Sequence, residues 1–421
     1  MSNIGYKKGR LFIEGVDLQS LAAKYGTPLY CYSAQQISDN FNAYKNALSK
    51  VFSKGDFTIC YACKANSNQA VLRHLRNLGA GADIVSGGEL ARVLKAGIPA
   101  TKIVFSGVGK SEAELRDAVR LGLFQINVES RHELSIISRY AQKYKKTVKV
   151  AIRVNPNVDA KTHAKITTGK KENKFGIDIA LAPALYAEAK KLKGVDACGV
   201  AVHIGSQLTD LAPFRKAYSR VAALVKELRK QGHRMTRVDL GGGIGITYKD
   251  ETPVNMDAYA KMVSEVIGPL GVHVVIEPGR SIVGNAGLLL SRVVSVKHGT
   301  AKRFLILDAA MNDLMRPSLY GAYHAVLSCK QARNAATYDV VGPVCETGDT
   351  FLTDERLPLL QDGDLVAIMT SGAYGAAMSS NYNTRPLAAE VIVKGTKSGL
   401  ARKIQTVDDI IRNDRVPPWL S

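Results

Sequence analysis

The sequence predicts an α/β protein built from a (β/α)8 barrel of the TIM type and a second, mostly antiparallel β domain. Three observations lead there. Eight short apolar runs alternate with amphipathic helical segments between residues 57 and 276. After Gly284 that alternation stops, and strand-like runs follow one another across turns rich in Gly, Pro, Asn and Asp. Polar side chains gather at the carboxyl ends of the eight runs, which is where a parallel barrel places its chemistry.

Along the chain, residues 9–16 read as one short strand that could join the second domain, and 18–25 as a helix stopped by Gly26-Thr27-Pro28. Ser33 caps an amphipathic segment that follows it. The barrel strands are expected at 57–62, 82–85, 103–105, 124–128, 148–154, 199–204, 238–240 and 272–276. Helices between them close on Gly79, Gly97, Gly122 and Gly232, and Ser111 with Glu114 forms a capping box. An open doubly wound sheet competes with this reading, but the count of eight favours closure. Strands at 288–296, 304–307, 338–341, 365–369 and 389–393 build the second domain. The expected division is a barrel at 28–284, with 1–27 and 285–421 forming the β-rich domain.

Composition narrows the class. The chain is 46% hydrophobic and 22% charged, which describes a folded globular protein, and no apolar run approaches membrane-spanning length. The amino terminus lacks an apolar core of secretory type, so a cytoplasmic location is expected. Six cysteines show no metal-type pairing; Cys60 and Cys63 form a C-x-x-C, but in a predicted strand, so free thiols and no metal site are expected. The formal charge of +20 is spread from Lys7 to Arg415 without a basic block, which argues against a nucleic-acid partner and for attraction of small anions.

At the strand ends stand Lys64, Asp83 with Ser86, Ser106, Arg153, His203 with Ser206, the triplet Gly241-Gly242-Gly243, and Glu277-Pro278-Gly279-Arg280. Burial of Lys64 would favour its neutral amine, the form that attacks a carbonyl; a rim lysine that reaches solvent is the alternative. Residues without Cβ let backbone amides approach an anion, and Ser206 and Arg280 can donate to a phosphate. Glu277 can hold a protonated ring nitrogen or pair locally with Arg280. His203 can stack on a flat ligand, serve as a proton carrier or be an ordinary core histidine. Taken together, a reactive lysine, a phosphate cradle, an acid for a ring nitrogen and a stacking partner specify pyridoxal 5′-phosphate.

The motifs YACKAN, GADIVSGGEL, HIGSQ, DLGGGIGI, EPGRSIVGNAG, MNDLMRPSLYGAYH, GPVCETGD and GAYGAAMSSNYNTRP resemble those of the barrel-type pyridoxal-phosphate decarboxylases and alanine racemases, and within them the diaminopimelate decarboxylases. The resemblance runs along nearly the whole chain. It implies a head-to-tail homodimer with shared active sites and decarboxylation of meso-diaminopimelate to L-lysine. It implies Lys64 as the lysine bonded to the cofactor, His203 on the ring face and Glu277 on the ring nitrogen. Ser206, Gly241 to Gly243, Gly279, Arg280 and Tyr374 would hold the phosphate, with Asp83 and Arg153 also at the cofactor.

Arg316 and Arg280 suit a bidentate grip on a carboxylate, Tyr320 adds a hydroxyl, and Glu346 offers an anion to an ammonium group. In the family the matching residues hold the distal end of the substrate, and Tyr374 lies with them. Cys345, otherwise a small buried residue, would be the acid that protonates the product carbon, supplied by the partner subunit. Residues 161–176 match a segment that covers the site in the family. Three other readings stay open: a decarboxylase for a D-amino acid or a carboxylated polyamine, an amino-acid racemase, and a non-catalytic cofactor carrier.

Overall fold

The structure, a computed structural model, describes residues 3–159 and 174–420. The chain forms two compact units, one of Ser38–Thr247 with Glu251–Ile282, the other of Met1–Ile37, Tyr248–Asp250 and Val283–Ser421.

In the first unit eight parallel strands close into a barrel in chain order: Phe57–Ala62, Gly81–Ile84, Ile103–Phe105, Gln125–Val128, Val148–Asn155, Val195–Ala201, Arg237–Asp239 and His273–Ile276. The eighth closes on the first through Val274↔Phe57 and Ile276↔Ile59, so neither strand is left as an edge. This settles the choice between barrel and open sheet. Runs such as Val274, Val275 and Ile276 are apolar throughout because a barrel strand is covered on both faces. Each strand sits within a few residues of its expected place. An additional short strand, Ile177–Asp178, lies beside the fifth.

The helices follow their local signals. Ser111 and Glu114 make the reciprocal capping box ahead of Glu112–Leu121, and Gly122 ends that helix at φ 69°. Register then fixes the rim: Asp83 pairs with Ala62, while Arg153 and Asp239 both pair with Ala201. Three carboxyl or guanidinium groups from separate strands thus lie near one end of the barrel. The expected covering segment at 161–176 falls, up to residue 173, outside the described residues.

The second unit is mostly antiparallel. Its main sheet runs Thr350–Pro358, Ala335–Val341, Arg303–Leu307, Gly287–His298, Leu29–Ser33, Ala389–Lys394 and Lys397–Arg402, with Leu365–Ile368 and Val326–Ser328 attached through Gly287–His298. Two pairings in it are parallel.

Two expectations need correction. Residues 28–37 lie in this unit and not in the barrel, because Leu29–Ser33 is a fully buried strand hydrogen-bonded between Gly287–His298 and Ala389–Lys394. The single strand expected at 9–16 is two, Arg10–Ile13 and Val16–Asp17, folded back at Glu14, whose φ is +53°. With Ile4–Lys7 they form a separate three-stranded sheet. Its Leu11 and Ile13 pack into a core with Leu21, Leu29, Leu288 and Val391.

Candidate active site

The barrel mouth holds a cavity of about 390 Å³ lined by Lys64, Asn127, Arg153, His203, Asp239 and Glu277, among others. Six different strands deliver these six side chains. Lys64 stands in the turn Cys63–Ala65 just past the first strand, and Glu277 directly follows the eighth.

Lys64 is partly buried. Its side chain is 39% exposed and ion-paired, Nζ lying 2.9 Å from Asp83 Oδ2. Asp83 itself is 1% exposed, and its second oxygen, Oδ1, is buried without a hydrogen-bond partner among the described residues. An orphaned carboxylate oxygen costs on the order of 1–3 kcal/mol, a cost that native structures carry where a ligand completes the site.

On the cavity floor Glu277 accepts from Ser106 Oγ at 3.3 Å and Asn127 Nδ2 at 3.4 Å. The same Asn127 amide donates to Asp239 Oδ2 at 2.9 Å, and Gln125 reaches that oxygen at 3.1 Å. Burial, then the neighbouring Asp239 and Asp83, push the Glu277 carboxyl well above the usual carboxylate range. Burial likewise raises Asp239 to about 6. Two carboxyls in contact in a buried site cannot both ionise cheaply, so the floor retains a proton until a cationic or basic partner arrives.

His203 lies half-buried on the cavity wall. Burial, then Arg153 and Lys64, hold its imidazole well below the usual value, so the ring is neutral at pH 7. Gly242 N donates to its Nδ1 at 3.3 Å, which leaves the ring proton on Nε2. Arg153 pairs with Glu129 at 2.9 Å and sits 5.0 Å from the Phe175 ring centroid.

Next to this floor three loops meet. Arg280 donates to Ser206 Oγ from Nε (3.3 Å) and Nη2 (3.1 Å). A Cβ on Gly242 would lie 2.2 Å from the Glu277 carbonyl, and one on Gly243 2.5 Å from that of Gly205. The triplet is therefore glycine because backbone packs on backbone, a stronger demand than an open cradle makes. Gly241 N is used by Asp239 and Gly242 N by His203, so the amide of Gly243 is the one of the three without a protein acceptor among the described residues. Gly279 brings its loop against the Lys64 turn, where a Cβ would meet those of Ala62 and Ala65 at 3.0 and 3.1 Å.

The second unit carries the other predicted residues. Arg316, 6% exposed, opens the short helix Arg316–Tyr320. Its guanidinium lies 5.1 Å from the Tyr248 ring centroid and 5.9 Å from that of Tyr320, and Nε donates to His324 Nε2 at 3.2 Å. Glu346 is exposed and accepts from Tyr382 Oη at 2.9 Å. Cys345 beside it is exposed as well, so it is not the small buried residue that its type alone suggests; the other five cysteines are buried and all six are free thiols. Buried Asp349 shapes this loop by accepting from Met311 N (2.6 Å) and Val344 N (2.8 Å). Tyr374 has φ +58°, a left-handed conformation uncommon for a residue with Cβ and concentrated at functional sites.

Residue types alone did not single out Asp239, Asn127, Glu129, His324 or Tyr248. Asp239 carried a signal, being the acid directly before the glycine triplet. His324 closes the motif that carries Arg316, eight residues on; Asn127, Glu129 and Tyr248 lie outside the quoted motifs and matter through partners distant in sequence. Among the described residues no group of three or more His, Cys, Asp and Glu could hold a metal, and no helix is long and apolar enough to cross a membrane.

A pyridoxal-phosphate cofactor fits the barrel residues: a lysine faces the cavity, an orphaned carboxylate oxygen lies beside it, and a proton-holding carboxyl forms the floor. Comparison with known proteins agrees. Residues 34–284 match the pyridoxal binding domain of pyridoxal-dependent decarboxylases. The chain is 45% identical to the diaminopimelate decarboxylase of Zymomonas mobilis over 98% of its own length and 99% of the relative's. With that of Pseudomonas aeruginosa it shares 47% identity over 99% and 100%. The crystal structure of diaminopimelate decarboxylase from M. jannaschii in co-complex with L-lysine superposes with a TM-score of 0.95 at 39% identity, covering 100% of both chains.

Proposed function

Since the chain belongs to the diaminopimelate decarboxylases, within the pyridoxal-dependent decarboxylases, we propose that Lys64, Glu277 and His203 serve the cofactor while Arg316 and Glu346 select the substrate. The enzyme is a carboxy-lyase. It decarboxylates meso-2,6-diaminopimelate at its D-centre to L-lysine and carbon dioxide, the last step of lysine biosynthesis, with pyridoxal 5′-phosphate as cofactor. When bound, the cofactor supplies an electrophilic aldehyde and a conjugated ring that takes up the electron pair released with carbon dioxide.

The protein's own groups do the rest. Lys64 provides the amine for that aldehyde, and Asp83 holds Nζ at the cavity. Glu277 carries a proton at the ring-nitrogen position, because burial and the Asp239 and Asp83 carboxyls keep it there. His203, neutral, offers a flat face. Ser206, the Gly241 to Gly243 loop, Gly279 and Arg280 would hold the phosphate, and Arg153, braced by Glu129, would serve the cofactor ring. In the second unit Arg316, with Tyr320 and Tyr374, grips the distal carboxylate, and Glu346 takes the distal ammonium. Cys345 of the partner subunit delivers the proton to the product carbon, so the working form is a homodimer, and a cytoplasmic location goes with its biosynthetic role.

The observation that carries this reading is that Lys64, His203 and Glu277, from three separate strands, line one cavity. Its test is carbon dioxide release by the purified protein from a panel of diamino acids and D-amino acids. Release from meso-diaminopimelate alone is expected. Equal release from D-amino acids without a distal carboxylate would overturn the assigned specificity.

A further inference from the structure

Arg316 is held in a more elaborate setting than a surface carboxylate-binding arginine needs. Among its contacts in the second unit are the ring faces of Tyr248 and Tyr320 and the imidazole of His324, which is 0% exposed. His324 Nδ1 lies 3.0 Å from the Met369 carbonyl, and a carbonyl only accepts, so the ring proton is on Nδ1. Nε2 is then an acceptor, and it takes the Arg316 Nε–H at 3.2 Å. Tyr248 meets the same imidazole edge-on with centroids 5.3 Å apart.

The backbone under His324 is rigid. Met369 N donates to Ala325 O at 2.8 Å, and Val326–Ser328, which starts two residues on, pairs with Leu365–Ile368. Gly321, at φ 60°, ends the Arg316–Tyr320 helix and turns the chain so that residue 324 returns beside residue 316. A planar guanidinium fixed along its Nε edge has its plane and the direction of its terminal nitrogens fixed too. That is how supporting residues orient a binding group on a stiff element.

We propose that His324 is a positioning residue for the carboxylate specificity of this enzyme, holding Arg316 in the orientation that grips a substrate or product carboxylate. The proposal rests on the reading that Arg316 binds that carboxylate. His324 is fully buried and would act through Arg316.

The test uses the cofactor-loaded enzyme and two competitive ligands: L-lysine, which keeps a carboxylate, and 1,5-diaminopentane, which lacks one. Inhibition constants are measured for wild type, R316A, H324L and H324Q, together with cofactor content and thermal midpoint. H324L is expected to weaken L-lysine by about tenfold or more, the usual effect of losing a hydrogen bond to a charged group. Binding of 1,5-diaminopentane and cofactor content should stay as in wild type. H324Q, whose amide can both accept and donate, should recover most of the loss. If H324L matches wild type toward L-lysine while R316A does not, the proposal fails and the Arg316 reading stands. If R316A also binds L-lysine normally, the Arg316 reading fails as well. Equal weakening of both ligands in H324L, or an H324L protein that does not fold together with an H324Q protein as impaired toward L-lysine as R316A, would mark a purely structural histidine and overturn the proposal.

Discussion

Replacing Glu277 by Gln keeps the shape of the cavity floor and removes its proton store. In the wild type the Glu277 carboxyl is 8% exposed, touches Ser106 and Asn127, and is raised by burial and by the Asp239 and Asp83 carboxyls. A basic ring nitrogen arriving there takes the proton, and a carboxylate facing a pyridinium replaces a neutral acid among carboxyls. A pair of unit charges about 4 Å apart is worth about 4 kcal/mol at an effective dielectric of about 20. Glutamine can still donate a hydrogen bond worth about 1 kcal/mol, leaving a loss of about 3 kcal/mol. At 1.36 kcal/mol per decade this predicts a fall in kcat of roughly a hundredfold to a thousandfold, with KM little changed. The assay is steady-state carbon dioxide release, with cofactor content read from absorbance so that loss of binding is not mistaken for loss of chemistry. An E277Q enzyme with full cofactor content and kcat within tenfold of wild type would refute the placement of Glu277 at the ring nitrogen.

Three further outcomes follow from the proposed roles and from the carboxyl pair on the cavity floor. K64A should lose turnover and the borohydride-trappable cofactor linkage, and a trapped adduct in that variant would remove Lys64 from its role. C345A should turn over slowly with near-normal cofactor content. Equal mixtures of K64A and C345A subunits should then recover about a quarter of wild-type activity, since in a two-fold dimer with shared sites half the molecules are hybrids with one intact site. Recovery no greater than the two parents' own would show that Cys345 serves its own subunit. The third outcome concerns pH: Asp239, raised in the folded state to about 6 from 3.8, contributes stability that is full below its unfolded pKa and lost as pH rises through the folded one. Cofactor-free wild type should therefore lose thermal stability between pH 4 and pH 7 more steeply than D239N, by up to about 3 kcal/mol, and parallel curves for the two proteins would contradict the buried carboxyl pair.

Local sequence determined the barrel and its rim. Apolar runs of strand length, helices closed by glycine, and the Ser111–Glu114 box are short-range signals, and they suffice to place Lys64, His203 and Glu277 at strand ends. Motif resemblance reached further, to Arg316, Cys345 and Tyr374, through residues that share a pattern along the chain. Tertiary structure decided what depends on partners distant in sequence. Leu29–Ser33 became a strand of the β unit because two strands more than 250 residues later hydrogen-bond to it. The ion pair of Lys64 with Asp83, the proton held between Glu277 and Asp239, and the imidazole behind Arg316 arise in the same way. Strand periodicity tells a residue which way to face, but burial and the charge of its neighbours set its protonation, and those neighbours come from other strands.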